Sequence, residues 1–296
     1  MRGAALTVGS FDGVHRGHQQ VLAGLVRTAA RLGLESAALA LDPHPLEIVN
    51  PAAAPRLLTV WEEKRALLEA SGVDRVERLQ FTPALSRLGP EEFTRDVLRA
   101  QYGMQALVLG HDHGFGRGRA GDVELLRTLG RADGFTVEVV DAVADQGQLV
   151  SSSLIRSAVA HGDFGAAARW LGRPYAIRGV VVAGAGRGRG LGVPTVNLAP
   201  PDPRKLLPPD GVYAVRVRWR EGAHGGMMNQ GPRPTFGITE RGLEVHLFDH
   251  DGVPLGESVL VEWVHRLRDV QQFPSREALV AQLARDAVAA RESLNR

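Results

Sequence analysis

The chain contains 296 residues, which is long enough for two domains, and its formal net charge of +2 provides no strongly basic face for nucleic acid. It has no cysteine, which excludes disulfide and thiolate chemistry, and no apolar run approaches the length of a membrane span. The first residues lack the positive-then-apolar pattern of a signal peptide. We therefore expect a cytoplasmic protein that binds neither nucleic acid nor membranes.

The first stretch with a clear pattern leads from an apolar strand into an amphipathic helix. Residues Ala4 to Val8 predict the strand, and Gln19 to Leu32 predict the helix. The residues between them, Gly9 to His18, contain glycines, an aspartate and two histidines. Strand-end loops and helix N-termini bind phosphate, and the spacing of His15 and His18 lets both face one ligand. The stretch predicts a phosphate site at which the histidines stabilise charge on a phosphoryl group.

The rest of the first half alternates between strands and helices. A capping-box pattern from Thr59 to Glu62 opens one helix, and Pro90 opens another. Strands are predicted at Ser36–Leu41, Val73–Leu79, Gln105–Leu109 and Phe135–Val140. A helix is predicted at Asp122–Ala132, and two further helices end at about Leu171. This alternation predicts an α/β domain with a parallel sheet.

Three more segments carry polar side chains, two at predicted strand ends and one ahead of a predicted helix. His44 lies in a Pro-His-Pro turn, a glycine-rich loop spans 110–122, and a Ser-Ser-Ser-Leu-Ile-Arg run spans 151–156. Hydroxyl groups ahead of an apolar helical run are usual helix caps, and they also form anion sites. A metal bound by His111 and His113 is the less favoured reading of the second loop, because no third ligand group has the right spacing.

After Gly172 the long alternating elements give way to short strands. They are predicted at Ala176–Val182, Val212–Trp219, Leu243–Phe248 and Ser258–Leu267, and a helix at Arg276–Leu294 ends the chain. Regular short strands with glycine and proline turns predict an antiparallel β-barrel. We place the domain boundary so that the domains are 1–172 and 173–296.

Two motifs of the second half suggest chemistry. Glycines at every second residue of 184–192 precede Val193-Pro194-Thr195-Val196-Asn197, and the run matches neither a Walker A loop nor G-x-G-x-x-G. It fits either a flexible loop or a nucleotide-binding flap. In the strand at 243–248, alternation places Glu244 on the face opposite Leu243, where periodicity alone predicts a solvated carboxylate.

In chain order, these motifs resemble those of the bacterial bifunctional riboflavin kinase/FMN adenylyltransferase family. The resemblance rests on G-x-F-D-G-V-H-x-G-H at 9–18, P-H-P at 43–45, the serine run at 151–156, G-R-x-L-G-x-P-T-x-N at 188–197, N-x-G-x-R-P-T-F at 229–236 and E-V-H-L at 244–247. It implies an N-terminal Rossmann-like nucleotidyltransferase domain and a C-terminal β-barrel riboflavin kinase domain with a terminal helix. The barrel would convert riboflavin and ATP to FMN, and the first domain would convert FMN and ATP to FAD and pyrophosphate.

The resemblance also implies roles for individual residues. Glu244 would be the base of the kinase reaction, His15 and His18 would stabilise the phosphates that react in adenylyl transfer, and Thr195 and Asn197 would bind Mg²⁺. ATP and its phosphates would contact Gly9, Phe11, Asp12, Gly17, Ser151, Ser152, Ser153, Arg156, Gly188, Arg189 and Gly192. The flavin would contact His44, Asp112, Phe115, Asn229 and Arg268.

Two other functions stay open at this stage. The first is a nucleotidyltransferase acting on a different phosphate ester, with the second half as a recognition domain. The second is a non-catalytic regulator that binds flavin or RNA. A weak homo-oligomer is also compatible with the sequence.

Overall fold

The computed structural model describes residues 3–111, 122–184, 193–199, 202–220, 222–233, 235, 238–250 and 252–295. The chain divides into two compact units, Met1–Ser152 and Ser153–Arg296. The domain boundary placed after Gly172 stays a prediction. Five predicted ligand contacts lie outside the described residues, namely Asp112, Phe115, Gly188, Arg189 and Gly192.

The first unit is built on a five-stranded sheet in which every neighbouring pair is parallel. Its spatial order is β3-β2-β1-β4-β5, formed by β1 (Ala4–Gly9), β2 (Glu35–Asp42), β3 (Arg75–Gln80), β4 (Met104–Gly110) and β5 (Thr136–Val140). Leu6 and Val8 pack into one hydrophobic core and Ala5 into another, so the sheet is buried on both faces. Chain order reverses between β1 and β4, and open α/β sheets bind ligands at the carboxyl ends of the strands on either side of such a reversal.

The helices of this unit begin close to the predicted positions. They are α1 (Arg16–Leu32), α2 (Pro45–Val49), α3 (Trp61–Glu69), α4 (Pro90–Glu92), which continues as a π-helix at Phe93–Arg99, and α5 (Val123–Asp133). A short hairpin of β6 (Ala144–Asp145) and β7 (Gln148–Leu149), absent from the prediction, follows β5. Helix α1 begins three residues earlier than predicted because the His15 side chain caps its first turn.

The capping box predicted at Thr59 was wrong. Helix α3 begins at Trp61, and the carboxylate of Glu63, not Glu62, accepts the N–H of Val60 at 3.3 Å. The Thr59 hydroxyl accepts a hydrogen bond from Gly13, 46 positions earlier in the chain. Sequence spacing alone could not reveal this long-range partner.

Helix α6 (Ser152–Ala160) begins where the two units meet in sequence, and α7 (Phe164–Leu171) leads into the barrel. The barrel is closed, its neighbouring strands are antiparallel, and their order is β10-β11-β12-β9-β8-β13. The strands are β8 (Ala176–Val182), β9 (Val196–Ala199), β10 (Gly211–Trp219), β11 (Gly222–Arg233), β12 (Ile238–Leu247) and β13 (Ser258–Arg268), and α8 (Arg276–Leu294) ends the fold. The predicted parallel sheet and antiparallel barrel are confirmed.

Helix α8 covers part of the outer face of the barrel. Ala290 of this helix packs in one cluster with Ala214, Met227 and Phe248. Strand β11 was missed by the sequence analysis because glycines fill much of it. Packing requires glycine at position 226, since a Cβ there would lie 2.5 Å from the main-chain carbonyl oxygen of His246 on β12.

Candidate active sites

The loop after β1 is a tight turn in an unusual backbone conformation. Phe11, Gly13 and Val14 have φ angles of 46°, 84° and 39°, which is the left-handed region that favours glycine. Two of these residues carry a Cβ, and such conformations cost about 1–3 kcal/mol each. A turn of this kind persists only when the surrounding structure holds it.

Hydrogen bonds to a neighbouring loop hold the turn. The buried Asp12 carboxylate accepts the N–H groups of Leu58 and Thr59 at 3.1 and 3.0 Å, and the Thr59 hydroxyl accepts the N–H of Gly13 at 2.9 Å. The Ser152 hydroxyl donates to the carbonyl oxygen of Asp12 at 2.8 Å. Asp12 and Ser152 were both expected to bind phosphate, and in the structure both make hydrogen bonds that fix the turn.

The two histidines lie together at the N-terminus of α1. Their rings stack with a centroid distance of 3.7 Å and an interplanar angle of 19°, and the edge of Phe11 packs against His18. The Nδ1 atom of His15 accepts the N–H of His18 at 3.4 Å, which caps the helix. In its neutral form His15 therefore carries its proton on Nε2.

A side chain in place of Gly17 would crowd the His15 ring. A Cβ at Gly17 would lie 3.1 Å from Cε1 of His15, which is closer than most side-chain contacts allow. The turn follows β1 at the strand-order reversal, and the N-terminus of a helix favours negative charge. A helix start with two imidazoles beside it has the charge and the donors suited to an anion.

The other predicted loops of this unit have their own local roles. His44 follows β2 and caps α2. Its ring Nδ1 accepts the N–H of Leu46 at 3.3 Å, and its main-chain N–H donates to the Glu47 carboxylate at 2.9 Å. Because the carboxyl ends of parallel strands meet at one edge of a sheet, His44 lies at the same edge as the histidine turn.

At the start of α6, Ser151 and Ser153 are exposed.

Arg156 lies one helical turn into α6. Its Nη1 atom is 3.4 Å from the hydroxyl oxygen of Ser153, to which it donates a hydrogen bond. The serine run therefore presents hydroxyl groups and a guanidinium from one helix start, an arrangement suited to phosphate oxygens.

In the barrel, three predicted residues form a row across neighbouring strands. Asn197 of β9 and Asn229 of β11 both lie directly opposite Glu244 of β12. Directly opposed residues project from the same face of an antiparallel sheet with Cβ atoms about 4.5–5.5 Å apart. All three side chains are partly exposed, whereas Leu243 and Val245 on the other face are buried, as the alternation predicted.

A cavity of about 560 Å³ is lined by Asn197 of this row and by Val245 and Leu247 of β12. Its lining includes the polar residues Thr195, Asn197 and His250, and most of the other lining residues are apolar. A Cβ at Gly184 would overlap the side-chain amide of Asn197, so glycine at that position is required for the amide to occupy its place. A cavity of this size and composition is suited to a small molecule with one polar end.

His246 was not among the predicted site residues. It shares the outer face with Glu244, and its Nδ1–H donates to the carbonyl oxygen of Pro194 at 2.8 Å. This bond fastens the segment that carries Thr195 and Asn197 to the strand that carries Glu244. The E-V-H-L motif contained the residue, but nothing in the sequence indicated its partner.

Arg268 is engaged by the terminal helix. Its guanidinium donates to the buried Asp286 carboxylate of α8 with N–O distances of 2.7–3.0 Å, and Gln282 donates to the same carboxylate at 2.8 Å. The flavin contact predicted for Arg268 stays a prediction. The observed pair joins α8 to β13.

Both halves of the chain match family models. Residues 1–154 match the model described as FAD synthetase, and residues 171–294 match the model described as riboflavin kinase. A bifunctional riboflavin kinase/FMN adenylyltransferase from Pseudomonas fluorescens is 40% identical over 98% of this chain and 93% of its own length. The chain belongs to the bifunctional riboflavin kinase/FMN adenylyltransferase family.

Less similar relatives also match this chain over nearly its full length. The relative from Escherichia coli K12 is 38% identical over 98% of this chain and 92% of its own length, and the one from Bacillus subtilis is 32% identical over 96% and 90%. A crystal structure described as a macrolide-efflux protein from Streptococcus pneumoniae superposes with a TM-score of 0.86 at 31% identity, covering 98% of this chain and 94% of that one. The family and the pair of activities predicted from the sequence are confirmed. Within the described ranges, no helix is long and apolar enough to cross a bilayer.

Proposed function

We propose that Glu244 is the base of the riboflavin kinase reaction. Its carboxylate accepts the proton of the terminal ribityl hydroxyl as that oxygen forms a bond to the γ-phosphorus of ATP. The bond between the γ-phosphorus and the β–γ bridging oxygen breaks, and ADP leaves. Support comes from the row of Asn197, Glu244 and Asn229, which places one acid between two amides able to orient the hydroxyl and the nucleotide.

The cavity beside this row is proposed to hold the ATP of the kinase reaction. Its apolar wall suits the base, and Thr195 and Asn197 would face the phosphates. The side-chain oxygens of these two residues fit Mg²⁺, which prefers neutral and anionic oxygen ligands and keeps substrate phosphates among them. Among the described residues, no three His, Cys, Asp or Glu side chains converge as a metal site, so the phosphates would supply the charge. Mg²⁺, when bound, neutralises charge on the phosphoryl group that is transferred.

The histidine turn is proposed to perform the FMN adenylyltransferase step. A phosphate oxygen of FMN attacks the α-phosphorus of ATP, the bond to the α–β bridging oxygen breaks, and pyrophosphate leaves. His15 and His18 donate to the phosphate oxygens on which charge increases, with Gly9, Phe11 and Gly17 shaping the turn around them. Ser151, Ser153 and Arg156 would hold the pyrophosphate, and His44 would face the flavin.

The stacked pair of His15 and His18 at a helix N-terminus is the observation that carries the assignment of this half. Two imidazoles with ring centroids 3.7 Å apart, at the strand-order reversal of a parallel sheet, support the binding of an anion with more than one phosphate. A cytoplasmic location is proposed on the absence of cysteine. The domain boundary after Gly172 is likewise a proposal.

The two sites can be tested separately with the full chain, ATP, Mg²⁺ and either riboflavin or FMN, with products resolved by chromatography. We expect Glu244→Gln to lose FMN formation by about 100-fold or more while still converting supplied FMN to FAD. We expect His18→Ala to form FMN normally and to lose FAD formation by about 100-fold or more.

Matched controls exist for both changes. Glu277 lies at the exposed start of α8 and His161 at the exposed end of α6, so Glu277→Gln and His161→Ala should leave both activities unchanged. A folded Glu244→Gln variant that still forms FMN at the wild-type rate would exclude Glu244 as the base. Loss of both reactions in a folded single variant would contradict the assignment of one reaction to each site.

A further inference from the structure

Thr59 lies outside the histidine motif and is 4% exposed. Its hydroxyl oxygen accepts the N–H of Gly13 at 2.9 Å, and its own N–H donates to the Asp12 carboxylate at 3.0 Å. The two residues that it contacts are the central residues of the turn. Thr59 therefore bridges to the turn through both its side chain and its main chain.

The position of the histidines depends on this turn. Phe11 and Val14 flank Asp12 and Gly13 and adopt left-handed backbone conformations that side chains rarely adopt. His15 follows Val14 directly and caps α1 through Nδ1, so a change in the path of the turn moves the His15 ring and the His18 ring stacked on it. A hydroxyl that fixes the N–H of Gly13 thus controls where both imidazoles lie.

We propose that Thr59 is a positioning residue for FMN adenylyl transfer. It acts on His15 and His18 through the hydrogen bond to Gly13 and the shared contact with Asp12. The inference rests on the proposed role of the histidine turn. Because the histidines act on charge that forms during the reaction, their displacement lowers kcat more than it raises KM for ATP or FMN.

The test uses the full chain and compares Thr59→Val with Thr59→Ser. Valine keeps the shape and removes the acceptor, whereas serine keeps the acceptor. We expect Thr59→Val to lower kcat for FAD formation from FMN by about tenfold or more, with both KM values within about twofold of wild type. Thr59→Ser should restore kcat to within about threefold of wild type, and riboflavin kinase activity should be unchanged in both.

Thr94 offers a matched control in the same unit. It is 1% exposed, and its hydroxyl donates to the carbonyl oxygen of Pro90 at 2.7 Å within its own helix. Thr94→Val therefore removes a buried threonine hydroxyl away from the turn, and kcat for FAD formation should stay at the wild-type value. An equal loss of kcat in Thr94→Val and Thr59→Val would show a general effect of destabilisation and would overturn the proposal.

Other outcomes also decide the question. The proposal is wrong if Thr59→Val keeps kcat within about twofold of wild type, or if Thr59→Ser loses as much activity as Thr59→Val. Should the valine variant fail to fold, amide exchange measured by NMR on the wild-type chain replaces it, since the N–H of Gly13 must be protected. An unprotected Gly13 amide overturns the proposal, whereas a wild-type chain that forms no FAD from FMN overturns the proposed function itself.

Discussion

The Nδ1 atom of His246 lies 2.8 Å from the carbonyl oxygen of Pro194. The bond connects β12, two residues beyond Glu244, to the segment that immediately precedes Thr195. It is a side-chain bond between elements 52 positions apart, and it adds to the main-chain pairing of β12 with β9. His246 therefore fastens the strand that carries Glu244, the proposed base, to the segment that carries the proposed phosphate contacts.

Replacing His246 should weaken the kinase reaction selectively. His246→Phe keeps a ring but removes the N–H, which leaves the Pro194 carbonyl without this donor and frees the segment at Thr195. A hydrogen bond of this kind contributes about 1 kcal/mol, so we expect kcat/KM for riboflavin phosphorylation to fall about fivefold. Steady-state rates of FMN formation provide the measurement, and FAD formation from FMN should not change.

His161 provides the control for this change. Its Nδ1 also bonds to a main-chain carbonyl, that of Ser157 at 2.7 Å, but on the exposed surface of α6. His161→Phe should leave kinase activity at the wild-type value, and His246→Asn, which supplies an amide N–H, should recover part of the loss. Equal activities of His246→Phe and wild type would show that the segment needs no such bond.

Gly17 should illustrate a conflict between helix stability and catalysis. Gly17→Ala replaces a glycine in the first turn of α1, a change that favours the helix by up to about 1 kcal/mol. The new Cβ would lie 3.1 Å from Cε1 of His15, so the ring must move. We expect thermal unfolding at or slightly above the wild-type temperature together with a kcat for FAD formation reduced by about tenfold.

Gly165 occupies the corresponding second position of α7, and its Cβ would meet atoms no closer than 3.6 Å. Gly165→Ala should therefore leave FAD formation unchanged. If Gly17→Ala retained full activity, the His15 ring would not need its observed position.

The ion pair between Arg268 and Asp286 should be important for the stability of the barrel unit. Asp286→Asn leaves the Arg268 guanidinium, which is 14% exposed, without its charged partner. Removing one member of a buried pair is strongly destabilising, and we expect a loss of about 3 kcal/mol in the free energy of unfolding. Denaturant unfolding followed by tryptophan fluorescence, with Trp263 buried in the barrel, measures it.

An exposed ion pair between α8 and the turn after β12 serves as the control. Arg291 donates two hydrogen bonds to Asp249 at 2.8 and 3.1 Å, and these bonds hold the pKa of that carboxyl below its usual value. Both side chains are largely exposed, so solvent screens the pair and Asp249→Asn should change stability far less than Asp286→Asn. Similar losses for the two variants would mean that burial does not distinguish them.

Much of the fold was predictable because hydrophobic periodicity and motif order are local properties. The strands of the parallel sheet, the terminal helix and the alternation around Glu244 all follow from residues close in sequence. Strand β11 could not be predicted, because its glycine at 226 is dictated by the close approach of the β12 main chain, which the sequence does not display.

The candidate sites were predictable only in part for the same reason. The motifs identified His15, His18 and Glu244 as candidate catalytic residues. They did not identify Thr59 and His246, whose partners lie 46 and 52 positions away. Side chains that hold a site in place have ordinary identities, and only the fold shows what they hold.

The contact between Ser36 and Asp74 should make stability depend on pH. Asp74 accepts from the Ser36 hydroxyl at 2.6 Å and from its N–H at 2.8 Å, and these bonds lower the pKa of Asp74 below its usual value near 4. Because the folded state favours the ionised form, its contribution is complete above the ordinary pKa and is lost as the pH falls through the folded-state pKa. Asp74 is exposed, so at neutral pH we expect Asp74→Asn to cost about 1 kcal/mol or less, measured as unfolding midpoints from pH 7 to pH 2.5. The difference from wild type should shrink toward the acid end, and a difference that grows on acidification would mean that the carboxyl is stabilised in its protonated form.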